Sequence, residues 1–483
     1  MNELIDVTDI IIPEENPVFL NENECIELYD TLLYLMEELI LNNPTLIAEP
    51  DFNEIFDENI DELIHSLFDD DVFYTEDAED DINDVIARAK CDFFKDFMPI
   101  RSYANSIIIC EPDYDYVKEQ IIILKNKPQP TQRTKEWYIF RHNLITASNA
   151  YKTFESQANR NQLIYEKCQP LDNEKFEDDI EVIDKNDNES INDINECKTI
   201  NITTQTPLQK MVNVNSTLHW GQKYEPLSVE IYEHVYDTKV DDFGCIQHET
   251  YKFIGASPDG INVDPNSLRY GRMLEIKNIV NREINGIPKK EYWIQMQLQM
   301  EVCDLDECDF LETKFTEYLD YNSYLEDTLD EKQINPTISK DNKMKGIIIY
   351  FHTTEGKPKY IYKPLTITNH NEIVKWEEEN VNLYQSEQYN YTFIKFLYWK
   401  QECNSCVLVT RNRQWFKDNV SEMVALWAII ETERVTGYEH RAPNRKQKKD
   451  IDNANILELS LNEKNGCLLQ FNKDTGKITV TKS

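Results

Sequence analysis

Apolar positions along the first hundred residues recur at helical spacing. Leu28, Leu32, Leu33, Leu35, Met36 and Leu39 predict acidic amphipathic helices over 22–100. The charge blocks Asp69-Asp70-Asp71 and Glu76 to Asp81 read as solvated or disordered surface. Lys127-Pro128-Gln129-Pro130 marks a boundary. Beyond it, Thr146 to Ser148 opens a helix expected to run to about Cys168. Residues 169–215 are polar, rich in Asp and Asn and weakly periodic, as in a surface insertion. A helix is expected to start near Pro226, with Leu227, Ile231 and Val235 on one face. Strands are predicted over 253–256 and 273–279, separated by the turn-forming run Asp264-Pro265-Asn266-Ser267. Next come a helix over about 288–302, with Trp293, Met296 and Met300 on its apolar side, a buried strand at 346–351 and its neighbour at 359–363. A C-terminal helix over 415–434, a basic stretch from His440 to Lys449 and a short strand pair close the pattern. Helices and strands mixed in this order predict an α/β fold, a small central mixed β-sheet flanked by helices. The chain divides into an acidic, mainly helical extension (1–126), a core (127–400) and a C-terminal helical segment with a basic tail (401–483).

Charge changes the picture. The 483 residues carry a net charge of −39, which is unfavourable for a surface that must bind phosphates. The distribution is uneven, however. Residues 1–100 hold 29 Asp and Glu against 3 Lys and Arg, and residues 171–200 hold 11 against 3. The rest of the chain is left at −5, so the core is nearly neutral and its appendages carry the acid. No basic-plus-apolar leader and no apolar run of membrane-spanning length are seen. Eleven scattered cysteines suit a reduced compartment, and the lone pair Cys403-Asn404-Ser405-Cys406 lacks the second pair that structural zinc requires. An intracellular protein is expected, neither secreted nor membrane-bound.

The chemistry concentrates in Ser257-Pro258-Asp259-Gly260 and Glu275-Ile276-Lys277. On a strand, positions two apart share a face, so Glu275 and Lys277 project together while Ile276 points into the core. A hairpin turning at 264–267 would set Asp259 beside Glu275. Two carboxylates and an ammonium at one point suit a hard divalent cation and an activated water. Glu225 precedes Pro226, which biases it away from helical geometry and places it at a helix start or kink.

These residues resemble the PD-(D/E)xK nuclease signature. Three more segments occur in order with it: Glu136-Trp137-Tyr138-Ile139-Phe140-Arg141 leading into Leu144-Ile145-Thr146-Ala147-Ser148, then Trp220-Gly221-Gln222-Lys223-Tyr224-Glu225-Pro226, and Gln295-Met296-Gln297-Leu298-Gln299-Met300. Together, over about 130–320, they resemble the YqaJ-type viral recombinase family, which includes the phage lambda exonuclease, in a version like those of giant DNA viruses. The resemblance implies a restriction-endonuclease-like core. It implies Mg²⁺, with Mn²⁺ as a substitute, held by Asp259, Glu275, the main-chain carbonyl of Ile276 and Glu225. Lys277 and Gln297 would complete the catalytic set, with Gln297 lining the site. Arg141, Ser148 and Ser257 would hold a 5′-phosphate, Ser148 from a helix N-terminus and Arg141 through bidentate bonds. Trp137 and Trp220 are read as core packing.

The expected function is a Mg²⁺-dependent DNA exonuclease that digests one strand of a duplex from its 5′ end and leaves 3′ single strands for recombination or repair. Its partners would be duplex DNA ends and a single-strand-annealing protein, its place the cytoplasm or a site of viral replication, and the resemblance allows a ring trimer. Two alternatives stay open. One is an endonuclease or an RNA-degrading enzyme like the alkaline nucleases. The other is a non-catalytic protein that binds DNA ends or recruits partners through its acidic arm.

Overall fold

The computed structural model describes residues 20–43, 46–48, 52–67, 76–94, 100–101, 113–130, 134–171, 214, 216–443, 468–472 and 477–481. Most of the expected insertion at 169–215, the block Asp69–Asp71 and most of the basic stretch 440–449 lie outside these residues.

Three helices lead the chain: α1 (Glu22–Asn42), α2 (Phe52–Leu67) and α3 (Glu76–Asp92). Their apolar stripes are Leu28, Leu32, Met36 and Ile40; Phe52, Phe56, Ile60 and Ile64; and Ile82, Val85 and Ala89. Each stripe follows the three-to-four-residue spacing of a buried helix face. Asn21 caps α1, accepting from the backbone of Asn23 and Glu24, while the Glu24 side chain returns to the Asn21 N–H. The block Glu76 to Asp81 is the first turn and a half of α3, so it is helical rather than irregular.

A two-residue strand β1 (Ile100–Arg101) and helix α4 (Tyr114–Asn126) come next. α4 lies against the core: Gln120 Nε2 donates to the Cys303 carbonyl at 2.7 Å and the Tyr116 hydroxyl to Asp304 Oδ2 at 2.7 Å. Then follow α5 (Lys135–His142), β2 (Ile145–Thr146), α6 (Ala147–Ala150), a 3₁₀ turn (Tyr151–Thr153), α7 (Gln157–Cys168) and α8 (Thr217–Tyr236). The helix expected from 146 to 168 is therefore broken in two, with Ser156 capping the second piece through Asn159 N. α8 begins nine residues before Pro226 and runs through it. The rule that a residue before proline leaves the helix is overridden here. Ser216 caps the helix start through His219 N, and the Tyr224 ring stacks on Phe315 at 4.6 Å.

The strands β3 (Val240–Asp241), β4 (Ile246–Gln247), β5 (Ile254–Ala256), β6 (Gly260–Asn262) and β7 (Met273–Asn278) lead to α9 (Lys290–Cys303) and β8 (Glu307–Glu317). α10 (Tyr321–Glu326), β9 (Lys345–His352), β10 (Pro358–Tyr362), α11 (His370–Gln385), β11 (Thr392–Thr410) and α12 (Arg413–Thr436) complete the body, and β12 (Leu468–Asn472) with β13 (Lys477–Thr481) forms a terminal hairpin. The main sheet has eight strands in the order β10-β9-β11-β8-β7-β6-β3, with β1 paired to β11. Among the described residues of this sheet only β7 and β8 run parallel, joined by α9 as the crossover. β2, β5 and β4 make a second, three-stranded sheet. This is the mixed α/β arrangement the pattern implied. β11 runs through position 400 and pairs with both β8 and β9, so the sheet is continuous across the expected segment boundary there. One apolar core joins the N-terminal helices, α7, α9, α12 and the α9-facing side of the sheet. Ile47 is fully buried, and its Cγ2 would lie 2.6 Å from a Cβ at Gly286, whose φ of +72° favours glycine.

Candidate active site

The turn between β6 and β7 sets the geometry. The Asp264 carboxylate accepts from the Asn266 backbone N–H at 2.9 Å, and the hairpin pairs Gly260 with Leu274 and Ile261 with Met273. That register carries Asp259 to Glu275. The Asp259 N–H donates to the Leu274 carbonyl at 3.1 Å, and Asp259 Oδ2 accepts from Ile276 N at 2.7 Å. Along β7, Leu274 and Ile276 pack with Tyr232 of α8 on one face of the sheet. Glu275 and Lys277 point the other way, toward α9. Glu275 is buried, with 1% of its side chain exposed, and the Lys277 ammonium pairs with its Oε1 while lying 4.8 Å from the centre of the Tyr292 ring.

α9 corrects one assignment. Gln299, not Gln297, reaches the carboxylates: its Nε2 donates to Glu275 Oε2 at 2.7 Å and to the Ser257 carbonyl at 3.2 Å. Gln297 faces the opposite way, donating to the Thr410 carbonyl at 2.9 Å and accepting from Asn412 N at 2.6 Å. It ties the end of β11 to the start of α12. Two residues along a helix turn the side chain by about 200°, so the two glutamines cannot share a face. Tyr292 and Gln299 are the site residues that sequence reasoning missed. The three evenly spaced glutamines contained the second of them, without the helix phase needed to choose it.

Electrostatics single out the carboxylates. Burial, then Glu275, then Glu225 push the Asp259 carboxyl well above its ordinary range. Burial works against the Lys277 ammonium, but Glu275 and then Asp259 raise it above its ordinary value. Glu225 therefore bears on Asp259 from within α8, not from a helix start. Among the described residues no three His, Cys, Asp or Glu side chains already form a ligand cluster. The donors nevertheless fit a small hard cation. They are oxygens in excess of the one lysine that balances them, and the buried Gln299 Oε1 beside Glu275 has no hydrogen-bond partner.

Arg141, Ser148 and Ser257 come together from three elements. Arg141 Nη2 donates to Ser148 Oγ at 3.2 Å and Nη1 to Ser257 Oγ at 3.3 Å, and the guanidinium lies 4.3 Å from the Trp137 ring centre. None of its hydrogen bonds among the described residues goes to a carboxylate, and burial lowers its pKa from the ordinary value. Such a guanidinium, flanked by two hydroxyls, suits an anion. Ser148 sits in the four-residue α6, so the expected long-helix dipole is absent and its hydroxyl is what it offers. Trp137 backs Arg141, and Trp220 packs on Tyr224 and under Lys223. Cys403 is exposed and Cys406 buried along β11, an arrangement unlike a zinc pair.

Residues 136–306 match the family model of the YqaJ-like viral recombinase domain. The match takes in the ordered motifs from Glu136 to Met300. The chain is also 31% identical over 242 residues to an uncharacterized protein of Acanthamoeba polyphaga mimivirus, covering 45% of this chain and 44% of that protein. The chain thus spans less than half the length of this relative. Among solved structures, the alkaline exonuclease of Laribacter hongkongensis, alone and in complex with dAMP, aligns with 62% of this chain and 94% of its own, at 17% identity and a TM-score of 0.31. Among the described residues no helix is long and apolar enough to cross a membrane.

Proposed function

We propose that this protein is a Mg²⁺-dependent exonuclease that hydrolyses one strand of duplex DNA from its 5′ end and leaves a 3′ single strand for viral DNA recombination or repair. The observation that carries the reading is the meeting of two groups: Asp259, Glu275 and Lys277 on one hairpin, and Arg141 with Ser148, which reach that hairpin through Ser257, two residues before Asp259. Asp259, Glu275 and the Ile276 carbonyl would hold the cation, with Glu225 as a further carboxylate and Mn²⁺ as a substitute. A cation held there would polarise the phosphoryl oxygen and lower the pKa of a water.

The chain's own groups do the rest. Arg141 with Ser148 and Ser257 holds the terminal phosphate, whose extra charge distinguishes it from an internal phosphodiester. Lys277, kept protonated by its carboxylate neighbours, orients water through its N–H bonds and steadies negative charge on the phosphoryl group. Gln299 fixes Glu275 and leaves its amide oxygen facing the same space. Duplex DNA ends are the substrate on this reading, and a single-strand-annealing protein would receive the product. A protein that only bound ends would have no use for a lysine and two carboxylates gathered at one point.

The test is digestion of matched linear duplexes bearing a 5′-phosphate or a 5′-hydroxyl. The phosphorylated end should be degraded faster, and Arg141→Ala should erase most of that preference. A charged hydrogen bond of ~1.5–3 kcal/mol corresponds to a ten- to hundredfold effect. Equal rates on the two ends with wild-type protein would remove the 5′-end assignment.

A further inference from the structure

We propose that Arg434, on the C-terminal helix α12, is a positioning residue that sets the specificity for 5′-phosphorylated ends by fixing the helix that bears Arg141. The proposal rests on the end-binding reading above and extends it to a residue outside the matched domain of 136–306.

Helix α5 carries Arg141 near its C-terminus, has only eight residues and buries none of them. Half-buried side chains such as Trp137 and Phe140 give it only a partial hold on the core. At its N-terminus Thr134 caps Trp137 N. Just past its C-terminus, the Ile145 N–H donates to the Phe253 carbonyl at 2.7 Å and β2 joins β5. Between these anchors lie the last carbonyls of the helix; those of Phe140 and Arg141 accept from the Asn143 and Leu144 N–H groups just past its end, each at 3.2 Å, and have room for a second donor.

Two side chains from other helices add donors to the carbonyls of Arg141 and His142. The Lys167 ammonium, on α7, donates to the Arg141 carbonyl at 2.8 Å. The Arg434 guanidinium donates through Nη2 to the His142 carbonyl at 3.0 Å, through Nη1 to Asn143 Oδ1 at 3.3 Å, and through Nε to the carbonyl of Lys167 itself at 2.9 Å. Its planar fork thus joins the C-termini of α5 and α7, where positive charge is favoured, and the Trp427 ring lies against it, 5.2 Å from its centre. No hydrogen bond of Arg434 among the described residues goes to a carboxylate. The guanidinium of Arg141 reaches Ser148 and Ser257 only while its backbone is held at this distance from them. A phosphate pocket loses its selectivity when a donor drifts by about an ångström.

The experiment uses the full chain with Arg434→Met, which keeps the apolar stem and removes all donors, and Arg434→Lys, which keeps the charge without the fork. Binding of one short duplex with a 5′-phosphate and the same duplex with a 5′-hydroxyl is measured by fluorescence anisotropy in EDTA. The ratio of kcat/KM for the two is measured with Mg²⁺. Wild-type protein should prefer the phosphorylated duplex in both assays. Arg434→Met should cut that preference on the order of tenfold, the size expected for loosening a charged hydrogen bond, and Arg434→Lys should restore part of it. A folded Arg434→Met protein that keeps the wild-type ratio, or loses affinity for both duplexes by the same factor, overturns the proposal. Should Arg434→Met fail to fold, Arg434→Lys decides on the same criterion. Absence of any preference in wild-type protein instead overturns the end-binding reading, and this inference with it.

Discussion

The two glutamines of α9 offer a prediction that separates site from scaffold. Gln299→Ala removes the amide that donates to Glu275 Oε2 at 2.7 Å. A hydrogen bond to a charged group is worth ~1.5–3 kcal/mol, so cleavage should slow by about ten- to hundredfold. The variant should fold normally, because Glu275 keeps Lys277 as a partner. Gln297→Ala does the reverse. It strands the Thr410 carbonyl and the Asn412 N–H, which Gln297 now joins at 2.9 and 2.6 Å. Each stranded group costs ~1–3 kcal/mol when buried. Asn412 is exposed, so water recovers part of the loss and a net cost of ~1–3 kcal/mol remains. The melting temperature should fall by several degrees, while the rate on folded protein stays within about threefold of wild type. Thermal unfolding followed by circular dichroism and initial rates on end-labelled duplex, measured on both variants, suffice. An inactive but fully stable Gln297→Ala protein beside a fully active Gln299→Ala protein would refute the placement of α9.

Further outcomes follow from the same geometry. Lys277→Ala and Asp259→Ala should each lower cleavage by orders of magnitude without unfolding the chain, and near-wild-type rates in either folded variant would remove the proposed site. The Lys167 amine is pushed down to about 7 by burial, then by Arg141. Its folded value therefore lies below its unfolded one, and its stability contribution grows as pH rises from about 7 toward 10.5. Between pH 9 and pH 7 wild-type protein should lose on the order of 2 kcal/mol relative to Lys167→Met, and parallel pH–stability curves would contradict this. Ile47→Asp places a charge in the contact with Gly286 and should lower the melting temperature of the whole chain. An unchanged transition would mean that α1 to α3 fold apart from the rest of the chain.

The hairpin that carries Asp259 and Glu275 was legible because two local rules agree on it. The Asp-Pro-Asn-Ser run turns the chain, and the two-residue period of a strand puts Glu275 and Lys277 on one face, so register follows from sequence alone. Arg141, Ser148 and Ser257 were found through ordered motifs, and tertiary folding brings them together. The helices resisted reading where distant contacts decide. Pro226 sits inside α8 because Tyr224 stacks on Phe315 of β8, a contact local preference does not encode. The choice between Gln297 and Gln299 needs the rotation of α9 over the sheet. The docking of the acidic helices through Ile47 depends on Gly286, more than two hundred residues away. Their charge suggested solvated surface, yet their apolar stripes join the common core.

The most direct measurement of the central claim is a time course on three substrates with the same sequence: a linear duplex with 5′-phosphates, the same duplex with 5′-hydroxyls, and a covalently closed circle, each with Mg²⁺ and with EDTA. The account predicts cation-dependent loss of the 5′-terminal label from linear DNA, fastest on the phosphorylated ends, with 3′ single strands accumulating and the circle left intact. Cleavage of the circle at the linear rate, digestion from the 3′ end, or full activity in EDTA would contradict it.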